Sequence, residues 1–251
     1  MSHSPQLSLV FPAFEEENNL DELVQHALAT GARLANDFEV IVVDDGSSDR
    51  TPEILQRWCR SDPRVHTIRH PRNFGYGAAL RAGLRHARGE LVFFSDADLQ
   101  FDLTQLETLL GHIPAYDIVA GYRSPRKDPP IRSVIAWVWG TLVRTLFDLP
   151  VRDIDCAFKL FNRRVLDGIL IESVGAFINT EILVRARAGG ARIHQVPVAH
   201  RHRRSGKQSG ANPRVILRAL RELALLYREL KLAEREGIAA RSAERAGENI
   251  G

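Results

Sequence analysis

Two aspartates separated by one residue follow an apolar segment near the middle of the chain. Asp96 and Asp98 end the sequence LVFFSDAD, and in an extended strand both side chains point the same way, with Ala97 between them. Carboxylates held this close repel each other unless a positive charge neutralises them. Carboxylate oxygens are ligands that suit Mg²⁺ and Mn²⁺, and substrate phosphates can complete the coordination. The pair therefore predicts a divalent-metal site, to which Gln100 could add a neutral oxygen.

Two further acidic segments follow other predicted strands. FPAFEEE begins at the end of the apolar run 7–12, and DDGSSDRT follows the β-branched run 38–43. Each has a plain structural interpretation, because Asp, Gly and Ser form turns and Glu is common in a first helical turn. Acidic strand ends also suit the hydroxyl groups and base donors of a nucleoside. We therefore expect the three acidic clusters to meet at one edge of a sheet.

A basic segment rich in Gly and Ser, AHRHRRSGKQSG at 199–210, has the opposite charge. From 201 to 231 the chain carries nine Lys and Arg against two Glu, although its net charge is only +3. Such a run is commonly a solvated loop. Beside an acidic metal site, its arginines could also close over a diphosphate and neutralise the leaving group.

These groups need a scaffold, and the first half of the chain alternates between strand and helix patterns. The predicted strands are 7–12, 38–43, 65–70 and 90–94, and helices are predicted from 20 towards 31, from 52, and at 78–87. This alternation predicts parallel βαβ units, helices on both faces of the sheet and a ligand site at the carboxyl ends of the strands. Later elements are predicted at 117–121, 158–161, 179–188 and in ARIHQVPV.

Composition and motifs exclude several classes of protein. The 251 residues are 44% apolar and 26% charged, as in a globular protein, and the N-terminus has no basic segment typical of a signal peptide. Cys59 and Cys156 fit neither a disulfide framework nor a zinc site, which favours a reducing compartment. No phosphate loop ending in Lys-Ser or Lys-Thr is present, and GYGAAL lacks the third glycine of a dinucleotide site. The histidines show no metal-ligand spacing, so we expect them at the surface or in the core.

Two helical segments could contact a membrane surface. The first, 131–147, has an apolar stripe with Trp137 and Trp139 beside it, but only eleven residues separate Arg132 from Arg144, too few to span a bilayer. We favour contact with the headgroup region over packing on the sheet for this segment. A second amphipathic helix, at 213–236, is basic and fits either environment.

The order of several motifs resembles the family-2 inverting glycosyltransferases, and among them the dolichyl- or polyprenyl-phosphate mannose and glucose synthases. The matching motifs, within about residues 6–225, are PAFEEENNL, VVDDGSSDRT, DADLQ, VAGYR, DIDCAFKLF, FINTEIL and VPVAHRHRRSGKQSG. The resemblance implies an α/β protein with the glycosyltransferase A fold, a Rossmann-like and mostly parallel sheet flanked by helices, with a C-terminal amphipathic helix. It also implies Mg²⁺ or Mn²⁺ as the cofactor and transfer of mannose or glucose from GDP-mannose or UDP-glucose to a polyprenyl or dolichyl phosphate.

The resemblance implies roles for individual residues as well. Asp98 would lead in holding the metal, with Asp96 and Gln100. Asp153 would lie beside the transferred sugar, and Arg123 and Arg203 would bind phosphate during catalysis. The residues expected to contact the nucleotide-sugar are Pro12, Phe14, Glu16, Val43, Asp45, Asp96, Ala97 and Lys159.

The same resemblance sets the expected organisation and partners. A catalytic domain would cover 1–211, including the interfacial helix near 131–147, followed by the amphipathic helix at 212–236 and a disordered tail at 237–251. The partners would be the nucleotide-sugar, the polyprenyl phosphate, the membrane surface and a separate membrane-anchoring protein, with no nucleic acid. We expect a cytoplasmic protein, peripheral on the cytoplasmic face of the membrane.

Other functions fit part of the same set of residues. A transferase acting on a soluble or glycan hydroxyl would share the donor motifs but would need a base, such as Asp153 or Asp155. A sugar-nucleotide pyrophosphorylase would have a basic, Gly-rich loop where this chain has acidic residues at 15–17. A non-catalytic nucleotide-sugar or membrane-surface binding module would have no reason to combine Asp96, Asp98 and Asp153. The acidic set therefore favours an enzyme.

Overall fold

The structure is a computed structural model that describes residues 5–125, 130–201 and 217–233, without the side chains of 130–133. Strands and helices alternate in its first half. They are β1 (Leu7–Ala13), α1 (Leu20–Leu34), β2 (Phe38–Asp44), α2 (Thr51–Ser61), β3 (Val65–Arg69), α3 (Tyr76–His86) and β4 (Leu91–Ser95). The strands and helices predicted for this half are confirmed, with boundaries shifted by a few residues.

The second half adds three strands and further helices. After a 3₁₀ turn (Leu103–Gln105) come α4 (Leu106–Leu110), β5 (Ile118–Arg123), α5 (Pro130–Phe147), β6 (Phe158–Asn162), α6 (Arg163–Asp167), α7 (Ile178–Ala188) and β7 (Ile193–Val198). A last helix, α8, covers 217–233. The expectations for 234–251 and for most of the basic segment lie outside the described residues.

All seven strands form one sheet in the order β3-β2-β1-β4-β6-β5-β7. β1 to β4 pair in parallel, as the alternation of strands and helices predicts, and β5 pairs in parallel with β7. β6 lies between β4 and β5 and is antiparallel to both. The fold is therefore a mixed, mostly parallel sheet with flanking helices.

The core lies along the central strands, where helices cover both faces of the sheet. Every residue of β1 and β2 is buried, which explains their continuous apolar runs. Aromatic pairs join β4 to β6: Phe93 meets Phe158 edge-on at 4.7 Å between ring centroids, and Phe94 stacks on Phe161 at 5.9 Å. Burying each ring contributes roughly 1.5–3 kcal/mol, so these pairs fix the inserted strand β6 in place.

Helix α5 packs against the protein through only part of its surface. The Trp139 indole contacts the Phe177 ring and donates a hydrogen bond to Thr180 Oγ1 at 3.3 Å, and Val143 is fully buried. The exposed apolar residues on this helix, called here the α5 surface, are Val134, Ile135, Trp137, Val138 and Leu142. No helix in the described part of the chain is long and apolar enough to cross a membrane.

Helix α8 is docked on α7 and α5 in a fixed orientation. Leu223 and Leu226 are buried, and the Tyr227 ring meets Phe147 at the end of α5. Arg185 on α7 binds the Glu229 carboxylate through two nitrogens, at 2.7 and 3.0 Å. These contacts determine which side of α8 faces away from the protein.

Candidate active site

Three acidic strand ends meet at one edge of the sheet, as the sequence predicts. β1 pairs with β2 in a register that places Ala13 beside Asp44, and it pairs with β4 so that Val10 lies beside Phe94. The chain then continues from these strands into Glu15–Glu17, Asp45 and Asp96–Asp98. The parallel arrangement brings these segments to the same side, although they are far apart in sequence.

The loops after β1 and β2 are joined by hydrogen bonds. Consecutive backbone N–H groups of the first loop donate to side chains of the second: Glu15 to Ser47 Oγ (2.9 Å), Glu16 to Thr51 Oγ1 (3.1 Å) and Glu17 to Asp49 Oδ2 (3.2 Å). Glu15 has a left-handed backbone, with φ at 55°, which turns the chain between these contacts. Ser47, Asp49 and Thr51 therefore hold the loop after β1 against the loop after β2. Their turn-forming character was visible in the sequence, but their partners were not.

The residues predicted to contact the nucleoside differ in exposure. Pro12 and Val43 are buried and lie beside each other in the register of β1 and β2. The Glu16 side chain is also buried, whereas Phe14 is 41% exposed, and the contacts of all four with a nucleoside stay predictions. A cleft of about 390 Å³ lies beside Phe14, lined by residues 15–19, Ser48 and Asp49.

Asp45 holds the loop that leads into α3. Its Oδ1 lies 2.7 Å from His70 Nδ1 and accepts from the Phe74 N–H at 3.0 Å, and its Oδ2 accepts from the Gly75 N–H at 2.8 Å. Both carboxylate oxygens are thus engaged with loop 70–75. Asp45 lies at the predicted place, and its contact with the nucleoside stays a prediction.

Asp96 and Asp98 form the predicted pair of carboxylates. Asp96 Oδ1 is buried without a hydrogen-bond partner, and burial, followed by the charge of Asp98, raises the pKa of Asp96 to about 7. The backbone between Asp98 and Gln100 turns through Leu99, whose φ is 58°, and Asp98 Oδ1 accepts from the Gln100 N–H at 3.2 Å. A divalent cation would offset both the repulsion and the desolvation, so the pair fits Mg²⁺ or Mn²⁺.

The remaining ligands of such a cation would have to come from elsewhere. Across residues 5–125, 130–201 and 217–233, the structure contains no group of three His, Cys, Asp or Glu side chains placed to hold a metal. Two carboxylates are few for Mg²⁺, which commonly completes its coordination with substrate phosphates and water. A cation held by this pair would therefore need oxygen ligands from a diphosphate and from water.

The start of the basic segment lies against this loop. Gln100 and Arg201 exchange backbone and side-chain hydrogen bonds: the Arg201 N–H donates to Gln100 O at 2.8 Å, and Gln100 Nε2 donates to Arg201 O at 3.0 Å. The Arg201 guanidinium also binds Asp102 at 2.8 Å. His200 is buried beside the Phe101 ring, with the centroids 5.3 Å apart, at the entrance to the basic segment. Arg203 lies outside the described residues.

Arg123 and Asp153 are brought together as an ion pair. Arg123 Nε and Nη2 bind the two carboxylate oxygens of Asp153 at 2.7 Å each, and the Arg123 backbone N–H adds a third bond at 3.1 Å. Both side chains are about nine-tenths buried. The sequence motifs do not link these two residues, whereas in the structure each side chain holds the other in place.

Lys159 points into the protein. Its Nζ donates to the Ile154 carbonyl at 3.0 Å, to the Cys156 carbonyl, and to Asn179 Oδ1 at 2.9 Å. Burial lowers the pKa of this amine. The described contacts of Lys159 stabilise the turn at 154–156, and its contact with the donor stays a prediction.

Two polar residues near Asp96 were missed by the sequence interpretation. Tyr76 begins α3, and Asn179 lies in the first turn of α7. The Tyr76 hydroxyl is buried, and both Asp96 and Asn179 lie close enough to it to affect its pKa. No local pattern could have linked them to Asp96, because the three residues come from separate elements.

Comparison with known proteins agrees with this geometry. Residues 8–170 match the sequence profile of the family described as Glycosyl transferase family 2. The chain is 33% identical over 207 residues to glycosyltransferase AglD of Haloferax volcanii, covering 77% of this chain and 32% of AglD. It is 34% identical over 211 residues to dolichyl-phosphate beta-glucosyltransferase ALG5A of Trichomonas vaginalis, covering 78% of this chain and 65% of that protein. The chain thus spans less than two thirds of either relative.

A solved structure shows the same fold. The crystal structure of glucosyl-3-phosphoglycerate synthase from Mycobacterium tuberculosis, in complex with Mn²⁺, uridine diphosphate and phosphoglyceric acid, superposes with a TM-score of 0.64 at 23% identity. The superposition covers 90% of this chain and 76% of the synthase, and it confirms the predicted glycosyltransferase A fold. The profile match runs from β1 to the segment after α6, more than half of the chain. The chain belongs to glycosyl transferase family 2.

Proposed function

We propose that this chain transfers a hexose from a nucleotide-sugar to a polyprenyl phosphate at a membrane surface, with inversion at the sugar and with Mg²⁺ or Mn²⁺ as cofactor. The observation that carries the proposal is the convergence of Asp96, Asp98 and Arg201 at the edge of the sheet where β1 and β2 also end. The acceptor is suggested by the name of the Trichomonas vaginalis relative, a dolichyl-phosphate glucosyltransferase.

The donor would lie along this edge, with its nucleoside near Phe14 and its diphosphate near Asp98. Asp98, Asp96 and Gln100 would hold the divalent cation, which supplies charge neutralisation for the departing diphosphate. The backbone of Arg201 lies against Gln100, and its guanidinium, which binds Asp102 in the structure, would add positive charge beside the diphosphate. Arg203, two residues further on, would extend this positive surface.

The proposed acceptor needs little help from a general base. A phosphate monoester is already largely anionic near neutral pH, so it can attack the anomeric carbon without a strong general base. Asp153 would orient the sugar, because the bonds from Arg123 fix the direction of its carboxylate. Cys156 is no nucleophile here, since burial raises the pKa of its thiol to about 12. Positioning and charge stabilisation would therefore carry the reaction.

Two surfaces support approach to a lipid bilayer. The α5 surface is apolar, and its Trp137 is 66% exposed. On α8, exposed leucines and arginines share the side that faces away from α7: Leu217, Arg221, Leu225, Arg228 and Leu232. Apolar side chains with arginines among them suit a boundary with anionic headgroups. This arrangement favours a membrane-borne acceptor over a soluble hydroxyl compound.

The test is direct detection of the lipid-linked sugar. The purified protein would be incubated with Mn²⁺ or Mg²⁺ and with GDP-mannose or UDP-glucose, each with and without polyprenyl phosphate. We expect a lipid product from one donor, lost on adding EDTA and recovered with excess metal. Release of the nucleoside diphosphate without a lipid product would indicate that the acceptor is another class of compound. Absence of turnover with every donor, from folded protein, would overturn the proposal.

A further inference from the structure

Tyr76 reaches from the surface into the interior next to the carboxylate pair. The residue is partly exposed, whereas its hydroxyl oxygen is buried. The charge of Asp96 acts on this hydroxyl, and Asn179 also neighbours it. Lys159 binds Asn179 Oδ1 at 2.9 Å, so the polar region around Tyr76 also contains an ammonium group. Neither the proposed reaction nor the core packing described above accounts for a hydroxyl in this place.

The backbone around Tyr76 is held on both sides. Gly75 has φ at 103°, a conformation that favours glycine, and its N–H donates to Asp45 Oδ2 at 2.8 Å. A Cβ on Gly77 would lie 2.5 Å from the Gly175 carbonyl oxygen, so α3 begins in direct contact with loop 174–175. The position of the Tyr76 ring is therefore determined by the loops on either side of it.

Two buried polar atoms face this region without satisfied hydrogen bonds. Neither the Tyr76 hydroxyl nor Asp96 Oδ1 has a hydrogen-bond partner of acceptable geometry, although the two groups are close enough to interact electrostatically. An ordinary phenol has a pKa of about 10, so the Tyr76 hydroxyl carries a proton near neutral pH and can donate it in a hydrogen bond. A buried unsatisfied polar group costs about 1–3 kcal/mol, so a small rotation that joins the two groups would be favourable.

We propose that Tyr76 is a positioning residue for Asp96, whose carboxylate accepts a hydrogen bond from the Tyr76 hydroxyl on one oxygen and presents the other to the metal and diphosphate. The inference rests on the proposed function, because it assumes that a divalent cation binds at Asp96 and Asp98. Residues that orient a metal ligand typically change metal affinity by about tenfold to a hundredfold when they are replaced. Tyr76 would therefore act on binding rather than touch the reacting atoms.

The test replaces Tyr76 with phenylalanine, which removes one oxygen and keeps the ring. Mn²⁺ affinity would be titrated by electron paramagnetic resonance in the presence of UDP or GDP, without any sugar donor. We expect Tyr76→Phe to weaken Mn²⁺ binding at least about tenfold. Tyr116→Phe, on a ring that stacks on His194 away from the carboxylate pair, is the matched control and should bind Mn²⁺ like the wild type.

Two further measurements separate positioning from simple structural support. The metal-free Tyr76→Phe protein should keep the circular dichroism spectrum of the wild type, because the ring and its packing remain. In an Asp96→Ala background, which removes the acceptor, Tyr76→Phe should alter Mn²⁺ affinity less than about twofold, since the two residues act through one contact. These results together would support the positioning role.

The outcomes that overturn the inference are distinct from those that overturn the function. Wild-type Mn²⁺ affinity in Tyr76→Phe would show that Tyr76 does not position Asp96. An undiminished effect of Tyr76→Phe in the Asp96→Ala background would do the same. Failure of the wild-type protein to bind Mn²⁺ with either nucleotide would overturn the proposed function, and the inference with it.

Discussion

Asp96 and Asp98 differ in environment although one residue separates them. Asp96 is enclosed at the end of β4, where burial raises its pKa to about 7. Asp98 lies on the following turn, is 5% exposed and accepts a bond from the Gln100 backbone N–H. Under the proposed function, we expect Asp98 to make the principal contact with the cation and diphosphate, and Asp96 the supporting one.

Replacing Asp98 with asparagine should therefore remove most of the activity. We expect turnover of the preferred donor to fall at least about a hundredfold, because an amide cannot neutralise a divalent cation. The rate of formation of the lipid-linked sugar measures the effect, and circular dichroism checks that the fold is kept. Asp167→Asn, at an exposed carboxylate on α6, is the matched control. Near wild-type turnover in Asp98→Asn would contradict the assignment.

Residue types and their order predicted that the acidic strand ends meet, but not the direction of each side chain. The acidic strand ends converge as predicted, because the carboxyl ends of parallel strands share an edge. The engagement of Asp45 with loop 70–75 and the inward turn of Lys159 depend on tertiary contacts that no local pattern encodes. The pairing of Arg123 with Asp153 has the same origin, since their strands and loops meet only in the fold.

At the scale of elements, the start of α3 connects Asp45, after β2, to the carboxylate pair after β4. Loop 70–75 is held by Asp45, and the first turn of α3 rests on loop 174–175, where the Ala78 N–H donates to the Val174 carbonyl at 3.2 Å. Glu181 supports that loop by accepting from the Ser173 N–H at 2.9 Å. The position of α3 is thus set by backbone contacts on two sides.

A methyl group at Gly77 should disturb this connection. In Gly77→Ala the new Cβ would meet the Gly175 carbonyl at 2.5 Å, a distance that forces the backbone to move. We expect a loss of about 1–3 kcal/mol in unfolding free energy and weaker nucleotide binding, measured by urea denaturation and by calorimetry with UDP or GDP. Gly111→Ala, where the nearest atom would lie at 3.6 Å, should be tolerated. Equal stability of the two variants would argue against a close contact at Gly77.

The order of elements was more predictable than their pairing. Strands and helices of the first half follow from runs of β-branched residues and from helical periodicity, since each is a local signal. The segment FKLF correctly indicates a strand at 158–162, but its composition does not reveal that this strand enters the sheet between β4 and β5 in the antiparallel sense. Pairing of that kind depends on contacts between distant parts of the chain.

At the scale of the whole molecule, the helices outside the sheet leave two surfaces uncovered by the described residues. The α5 surface is apolar, and the outward side of α8 alternates leucine with arginine. The inward sides of both helices are fixed by Trp139, Val143, Leu223 and Leu226. Packing of the inward sides therefore determines which sides of α5 and α8 are exposed.

Polar substitution on the α5 surface should weaken membrane binding. We expect the double variant Trp137→Ser with Val138→Ser to bind liposomes containing anionic lipid at least about tenfold more weakly, because each apolar side chain gains roughly 1.5–3 kcal/mol on full burial. Co-sedimentation measures the effect. Leu170→Ser, at an exposed leucine outside both helices, should leave binding unchanged. Undiminished binding of the double variant would exclude this surface as the contact.

The insertion of β6 between β4 and β5 has a consequence for biosynthesis. As the chain leaves the ribosome, β1 to β4 can pair with one another before residue 158 has been made, and β4 then presents an unpaired edge. Closure of that edge requires a partner strand far along the chain, a type of pairing that is slow and prone to aggregation. Fragments that end before Phe158 should accordingly be insoluble, even though they contain Asp96, Asp98 and the whole nucleoside end of the site.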